Sequence, residues 1–503
     1  MAVDADGPSS QSGAAESRWS QGRRTPSLIR FIGFDHHFEV LRRALQTADE
    51  AYGPAIVFAY TIKGWGLPIA GDPLNHSALL SEDQMDALRS ELGIEVGHEW
   101  GSFNTGSAED RVCRERALAL GTTQPAPRSG INLPKDVDRR YRGQMSTQQV
   151  FGEVLTDLRR QAPEVARRVV TMSADVATST NLGGWINRVG VWQANDENDL
   201  FSELGPRLIS WNRRRDGQHI EFGLSETNLM MGLGQFGLSH ELFGELLLPI
   251  GTIYDPFIAR ALDALIYSLY GGGRFILVGT PSGVSLAPEG GAHQSVVTPA
   301  IGLALSSCTY WEPCFGLETE WVLLEALRSV AATDGESAYL RLSTIKIDQA
   351  LMPPETGELR QAALAGHYVV VDRSHLPEVR PGHNFLEIWA TGPMVPIAIT
   401  AAEELFLDGV YASVINCLSP DLTFRNRPRP TRSASSPGTP TVTVVDGHPA
   451  TLAWLGAMRG GPSIALGVTE FGESGNPSDL YRRFGIDSES VCQAAFDVLG
   501  SGI

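Results

Sequence analysis

The 503-residue sequence carries 40 Lys and Arg against 58 Asp and Glu, a formal net charge of -18. That balance argues against a nucleic-acid partner held by phosphate contacts and against an anionic membrane surface. With 42% hydrophobic and 19% charged residues, the composition is that of an ordinary soluble α/β protein with room for about two to four domains.

Residues 1–31 are rich in Ser, Gly, Ala and Arg and have no apolar h-region, so they read as a disordered leader rather than a secretory signal. No run reaches the ~18 apolar residues of a membrane span. Five cysteines, Cys113, Cys308, Cys314, Cys417 and Cys492, are scattered without a CxxC pair. That pattern is neither a disulfide framework nor a zinc site, and it suits a reducing cytoplasm.

A first folded block spans 32–95. Phe38, Leu41, Leu45, Ala48 and Tyr52 follow helical spacing over 35–52. Gly53-Pro54 breaks the chain, 55–60 reads as a short strand, and Lys63-Gly64-Trp65-Gly66 as a turn. Ser81 with Gln84 predicts a capping box for a helix through Leu92. Residues 96–143 are mostly polar and read as a linker.

The second block, 144–350, opens with Ser146 and Gln149 capping a helix through Arg160. Strands are expected at 168–173, 246–253, 274–278 and 338–342, with helices at 230–238, 257–270 and 318–333 between them. Such alternation predicts a parallel sheet covered by helices on both faces. The third block, 380–503, has strands expected at 386–390, 412–417, 442–445 and 463–468 and helices at 400–407, after Pro449 and from Ser488. Its Pro/Ser/Arg-rich segment 425–440 reads as a flexible loop.

Residues 220–237, IEFGLSETNLMMGLGQFG, place Glu226 in an apolar, glycine-rich segment that reads as a strand end running into a buried helix. A carboxylate there is costly unless something pairs with it. The plain reading is a helix N-terminal carboxylate that complements the dipole. About thirty residues on, Tyr254-Asp255-Pro256-Phe257 ends a strand with aromatics, and 283–295 form a glycine-rich loop carrying His293. Taken singly, His293 is a loop histidine and Phe257 a core residue.

The order and spacing of these elements resemble the pyrimidine-binding domain of the transketolase superfamily, in particular the homodimeric 2-oxo-acid dehydrogenase E1 enzymes typified by the pyruvate dehydrogenase E1 component. The resemblance implies a transketolase-like thiamine diphosphate-binding α/β fold. It implies that Glu226 holds N1' of thiamine diphosphate, that Phe257 packs on the pyrimidine ring with Leu224 beside it, and that Asp175 lines the cofactor pocket. Gly290-Gly291-Ala292-His293-Gln294 looks like the Gly-Pro-Thr-His-Gln element of transketolases, whose histidine faces the substrate. Residues 468–491 resemble the transketolase C-terminal domain, with Phe471-Gly472-Glu473-Ser474-Gly475 and Leu480-Tyr481-Arg482-Arg483-Phe484-Gly485, so Glu470 and Ser474 carry no catalytic role. Thr61-Ile62-Lys63-Gly64-Trp65-Gly66 looks like the end of the E1 diphosphate-binding domain, which places His76 in a mobile active-site loop. A solvated loop histidine is the equal alternative there.

In this reading Glu226, His293 and His76 carry the chemistry. No Lys or Arg follows Glu226 closely enough in sequence to quench it, and a glutamate in an apolar pocket is expected to share a proton cheaply. The family's Mg²⁺ site, a Gly-Asp-Gly followed roughly thirty residues on by an Asn, has no counterpart in this sequence. Val445-Asp446-Gly447-His448 is the nearest string, and a lone Asp-Gly reads as a turn. The resemblance therefore implies a partner chain, or a homo-oligomer, that supplies the missing half and the Mg²⁺ ligands.

The expected activity is that of an oxidoreductase: decarboxylation of pyruvate from glycolysis, or of another 2-oxo acid, with acetyl transfer to a lipoyl-bearing E2 acyltransferase. The alternatives are a split transketolase-type ketol transferase and a non-catalytic, truncated docking subunit of an E1 complex.

Overall fold

The computed structural model describes residues 28–29, 38–51, 55–59, 61–120, 131–194, 211–427 and 438–500. The expected leader, apart from residues 28–29, and most of the expected 425–440 loop lie outside the described residues. The chain divides into two compact units, Met1–Thr122 and Thr123–Ile503.

In the first unit β1 (Leu28–Ile29) pairs in parallel with β2 (Ile56–Val57). Helices α1 (Phe38–Glu50), α2 (Glu82–Glu91) and α3 (Ala108–Ala119) follow the order of the chain. The capping box forms as expected: Ser81 Oγ accepts the Gln84 N–H at 3.2 Å, and Gln84 Oε1 accepts the Ser81 N–H at 2.9 Å. Helix α3 falls in the stretch expected to be a linker. Its residues are nearly all exposed, so no apolar stripe announces it, and Ser107 starts it by accepting the Asp110 N–H. The apolar stripe of α1 finds no core. Phe38, Leu41 and Leu45 are exposed, and Ala44 is the sole buried residue among those described in this unit.

The second unit begins with β3 (Gln144–Met145), α4 (Thr147–Gln161) and α5 (Pro163–Ala166), then β4 (Val169–Ser173) and α6 (Gly183–Val189). Strands β5 (Val191–Trp192), β6 (Arg213–Arg214) and β7 (His219–Glu221) lead to α7 (Glu226–Gly237) and α8 (Ser239–Phe243). Next come β8 (Leu248–Ile253), α9 (Leu262–Tyr270), β9 (Ile276–Gly279), β10 (Cys308–Trp311), β11 (Ser337–Arg341) and β12 (Ile347–Asp348). Eight strands form one sheet in the order β10-β11-β9-β8-β4-β7-β5-β6, every pair parallel. Strands β4, β8, β9 and β11 match sequence expectation. Strand β7 is the strand end expected before the helix at 226–237, whereas β5, β6 and β10 were not expected, because these runs of two to four residues give no readable alternation.

The glycines that make 220–237 conspicuous serve close packing. A Cβ on Gly234 would lie 2.4 Å from Ser268 Oγ of α9, and one on Gly232 2.5 Å from the Phe222 ring. Helix α7 therefore seats directly on α9 and on the strand end that precedes it.

A second sheet, β13 (Tyr368–Val371), β14 (Phe385–Ala390), β15 (Tyr411–Asn416), β16 (Thr439–Val444) and β17 (Gly460–Leu466), runs in the order β13-β15-β14-β16-β17 with only β13 antiparallel. The helix expected from residue 400 begins earlier, at Met394–Leu407. Pro396 lies in its first turn, where the missing N–H has no intrahelical partner to lose.

Arg341, at the end of β11, ties the two sheets together. It donates to Asp255 and Glu312 and, from Nη2, to the Asp446 carbonyl at 2.7 Å. The Asp446-Gly447 string bends the chain, as expected of a lone Asp-Gly. Asp446 is buried, and its Oδ1 accepts the Val284 N–H at 3.0 Å. Among the described residues no helix is long and apolar enough to cross a membrane.

Candidate active site

Strand β4 sits between β7 and β8, so the chain winds outward from it in both directions. In an open parallel sheet, ligands bind outside the carboxyl ends of strands at such a reversal. The expected site residues gather at that edge: Asp175 follows β4, Leu224 and Glu226 follow β7, Phe257 follows β8, and the His293 loop follows β9.

Glu226 is the first residue of α7 and its side chain is 13% exposed. Tyr254, Phe257 and Arg260 recur at three-residue intervals through the 3-10 segment Asp255–Ala261 and its N-cap. Residues three apart eclipse one another on a 3-10 helix. The side chains accordingly form a column: Tyr254 and Phe257 stack with centroids 6.0 Å apart, and the Arg260 guanidinium carbon lies 3.9 Å above the Phe257 ring. From there Arg260 Nη1 donates to Glu226 Oε1 at 3.2 Å.

This ion pair corrects the expectation that no cation reaches Glu226. Arg260 follows by 34 residues, and the fold closes that separation by placing α7 against the Asp255–Ala261 turn. Sequence reasoning missed Arg260. The usable signal was its three-residue offset from Phe257 after an Asp-Pro start.

His293 ends the short 3-10 turn Gly291–His293, with its ring 5.6 Å from Phe257 and 6.3 Å from Tyr254. The C-terminal segment fixes this loop. Gln294 Nε2 donates to the Glu473 carbonyl at 2.6 Å, and a Cβ on Gly291 would collide with the Gly472 carbonyl. Phe471-Gly472-Glu473 thus buttresses the His293 loop, while Glu470 pairs with Arg483 at 2.7 Å.

Asp175 is exposed and adopts φ 62°, a left-handed conformation costing a non-glycine residue about 1–3 kcal/mol. Glu221 Oε1, another residue that sequence reasoning missed, holds it there by accepting the Asp175 N–H at 2.7 Å. Leu224 stands 82% exposed. The structure therefore brings Glu226, Phe257 and His293 together and places Asp175 and Leu224 on the same edge. His76 belongs to the first unit, where it ends the turn Pro73–His76 with Nδ1 2.5 Å from Lys63 Nζ.

The carboxylate and the aromatic face suit a flat heteroaromatic ring with a basic nitrogen. They fit the pyrimidine half of a thiamine cofactor, although Arg260 now lies between them. For the diphosphate half, among the described residues no group of three or more His, Cys, Asp or Glu converges as a metal site.

Residues 143–346 match the transketolase pyrimidine-binding domain, and residues 366–487 match the transketolase-like C-terminal domain. The fold is transketolase-like. Transketolase 2 of Vibrio vulnificus is 24% identical over 483 residues, covering 92% of this chain and 67% of that protein. The chromosomal transketolase of Cupriavidus necator is 26% identical over 488 residues, covering 92% and 66%. Among solved structures, transketolase from Leishmania mexicana superposes with a TM-score of 0.66 at 21% identity, covering 94% of this chain and 66% of that one. The chain spans about two thirds of the length of the relatives that it matches.

These findings overturn the pyruvate dehydrogenase E1 assignment. With it go the oxidoreductase class, the glycolytic pyruvate substrate and the lipoyl-bearing E2 partner, because the relatives are transketolases, which are transferases. The physical reason is that the motifs on which the resemblance rested belong to a cofactor-binding domain of a kind that the two enzyme types share. They do not encode the fate of the substrate. The cofactor expectation stands: the transketolase pyrimidine-binding domain is a thiamine diphosphate module that works with a divalent metal such as Mg²⁺.

Proposed function

We propose that this chain is the larger part of a thiamine diphosphate-dependent ketol transferase acting on sugar phosphates, with a partner chain completing the diphosphate and Mg²⁺ half. The observation that carries the reading is the convergence of Glu226, Phe257 and His293 at the reversal point of a transketolase-type sheet. Bound thiamine diphosphate supplies a nucleophilic carbon and an electron sink for moving a ketol unit.

Glu226 would hydrogen-bond the pyrimidine nitrogen and exchange a proton there, and Phe257 would stack on the ring. His293 would face the substrate and move protons at its hydroxyl and carbonyl oxygens. Asp175 and Leu224 would wall the pocket. The exposed stripe of α1 suits a remnant whose core is completed by another chain. Structures of Pichia stipitis transketolase are described in complex with fructose-6-phosphate and sedoheptulose-7-phosphate, which sets the substrate class to try first. Five cysteines with no disulfide among them support a cytoplasmic setting.

The test is ketol transfer from a ketose phosphate to an aldose phosphate with thiamine diphosphate and Mg²⁺. The chain is assayed alone and with the product of the adjacent upstream reading frame. Transfer that is lost in Glu226→Gln supports the proposal. Decarboxylation of a 2-oxo acid without transfer, or transfer indifferent to Glu226→Gln, overturns it.

A further inference from the structure

The two features that would receive a pyrimidine ring are both engaged by one side chain of this chain. The Arg260 guanidinium is flat and lies 3.9 Å from the Phe257 centroid, a stacking separation, and it hydrogen-bonds Glu226 at 3.2 Å. A heteroaromatic ligand stacked on Phe257 and bonded to Glu226 would need the same volume and the same acceptor. We propose that Arg260 is an internal plug of the pyrimidine site, which must swing out before the cofactor ring can enter; this inference rests on the functional reading above.

Arg260 is built to leave. Its side chain is 61% exposed, so the freed guanidinium returns to water at little desolvation cost. An ion pair whose cation stands largely in water and a solvated cation–π contact are each weak, strong enough to occupy the site when it is empty and weak enough for a ligand to displace. The Phe257 ring and the Glu226 carboxylate thus stay covered until a competing ring arrives.

Calorimetric titration of the full-length chain, together with the product of the adjacent upstream reading frame that would complete the diphosphate half, with thiamine diphosphate and Mg²⁺ tests the plug, using the wild type, Arg260→Gln, Glu226→Ala and the double variant. Because Arg260 is largely exposed, its replacement leaves the fold intact. The expected result is that Arg260→Gln binds about tenfold more tightly than the wild type, or about 1.4 kcal/mol, and that adding Glu226→Ala removes the gain. Equal or weaker binding by Arg260→Gln overturns the plug, and so does the absence of binding in both, since removing the plug would then open nothing. If Arg260→Gln brings no gain while Glu226→Ala still weakens binding, the plug falls and the pyrimidine-site reading survives. If Glu226→Ala changes nothing in either background, the ligand lies elsewhere and both fall.

Discussion

Arg341 donates from Nε to Oδ2 of Asp255 at 2.9 Å, with neither side chain exposed. Asp255 also accepts from Thr298 Oγ1 at 2.5 Å and from the hydroxyls of Ser295 and Tyr339. Glu312 accepts Arg341 Nη1 at 2.6 Å and the Tyr310 hydroxyl at 2.6 Å. One buried cation therefore serves two carboxylates, and its remaining nitrogen fastens the Asp446 carbonyl of the C-terminal domain. Because Asp255 opens the turn that carries Phe257 and Arg260, this network also sets the floor of the candidate site.

Removing the cation leaves two buried carboxylates uncompensated. Arg341→Met is expected to destabilise the second unit by about 3–5 kcal/mol. The readout is a lower urea midpoint, followed by tryptophan fluorescence. A midpoint within error of the wild type would show that the hydroxyl donors alone satisfy Asp255 and Glu312.

Asp446 is the third acid of this group, and burial pushes its pKa up to about 6, against the attraction of Arg341. The folded state thus holds the proton more tightly than the unfolded chain, where the value is near 3.8. The sign follows: stability conferred by this group is lost as pH rises from about 4 through about 6, and the loss is complete above that. Asp446→Asn removes the ionisation and retains an acceptor for the Val284 N–H. Its stability relative to the wild type should rise by up to about 3 kcal/mol between pH 4 and pH 7. A stability difference that does not change with pH would refute the assignment.

Gly234→Ala sets two effects against each other. Alanine favours the helix by about 1 kcal/mol, but its Cβ would lie 2.4 Å from Ser268 Oγ and 3.3 Å from Ser268 Cα. Overpacking costs about 1–3 kcal/mol, and the backbone part of that contact cannot rotate away. A net loss of about 1 kcal/mol is expected, seen as a lower thermal midpoint, and the loss should be smaller when Gly234→Ala is made in the Ser268→Gly background than in the wild type. An equal loss in the two backgrounds would place the strain elsewhere.

The Ser81 capping box is the clearest local device of the first unit. Ser81→Ala should cost about 1 kcal/mol and speed amide exchange across Glu82–Glu91, while exchange in α4 stays as it was. Unchanged protection in α2 would mean that contacts other than the cap hold that helix.

The elements with strong local causes were legible in the amino-acid sequence. The caps at Ser81 and Ser146, the long apolar strands β4, β8, β14 and β15, and the strand-helix alternation that becomes two largely parallel sheets are all governed by neighbours a few residues apart. It also singled out Glu226, Phe257 and His293, because an acid among glycines, an aromatic at a strand end and a histidine in a glycine loop are conspicuous residue by residue. What it left ambiguous was the enzyme class, since short cofactor motifs are common to enzymes that treat their substrates differently. Similarity along nearly the whole chain separated those classes. Folding alone lays Arg260 across Phe257 onto Glu226, pins Asp175 with Glu221, and buries Asp446 against the Val284 N–H. Each of these contacts joins groups from different elements, which come within hydrogen-bond reach only once the chain has folded.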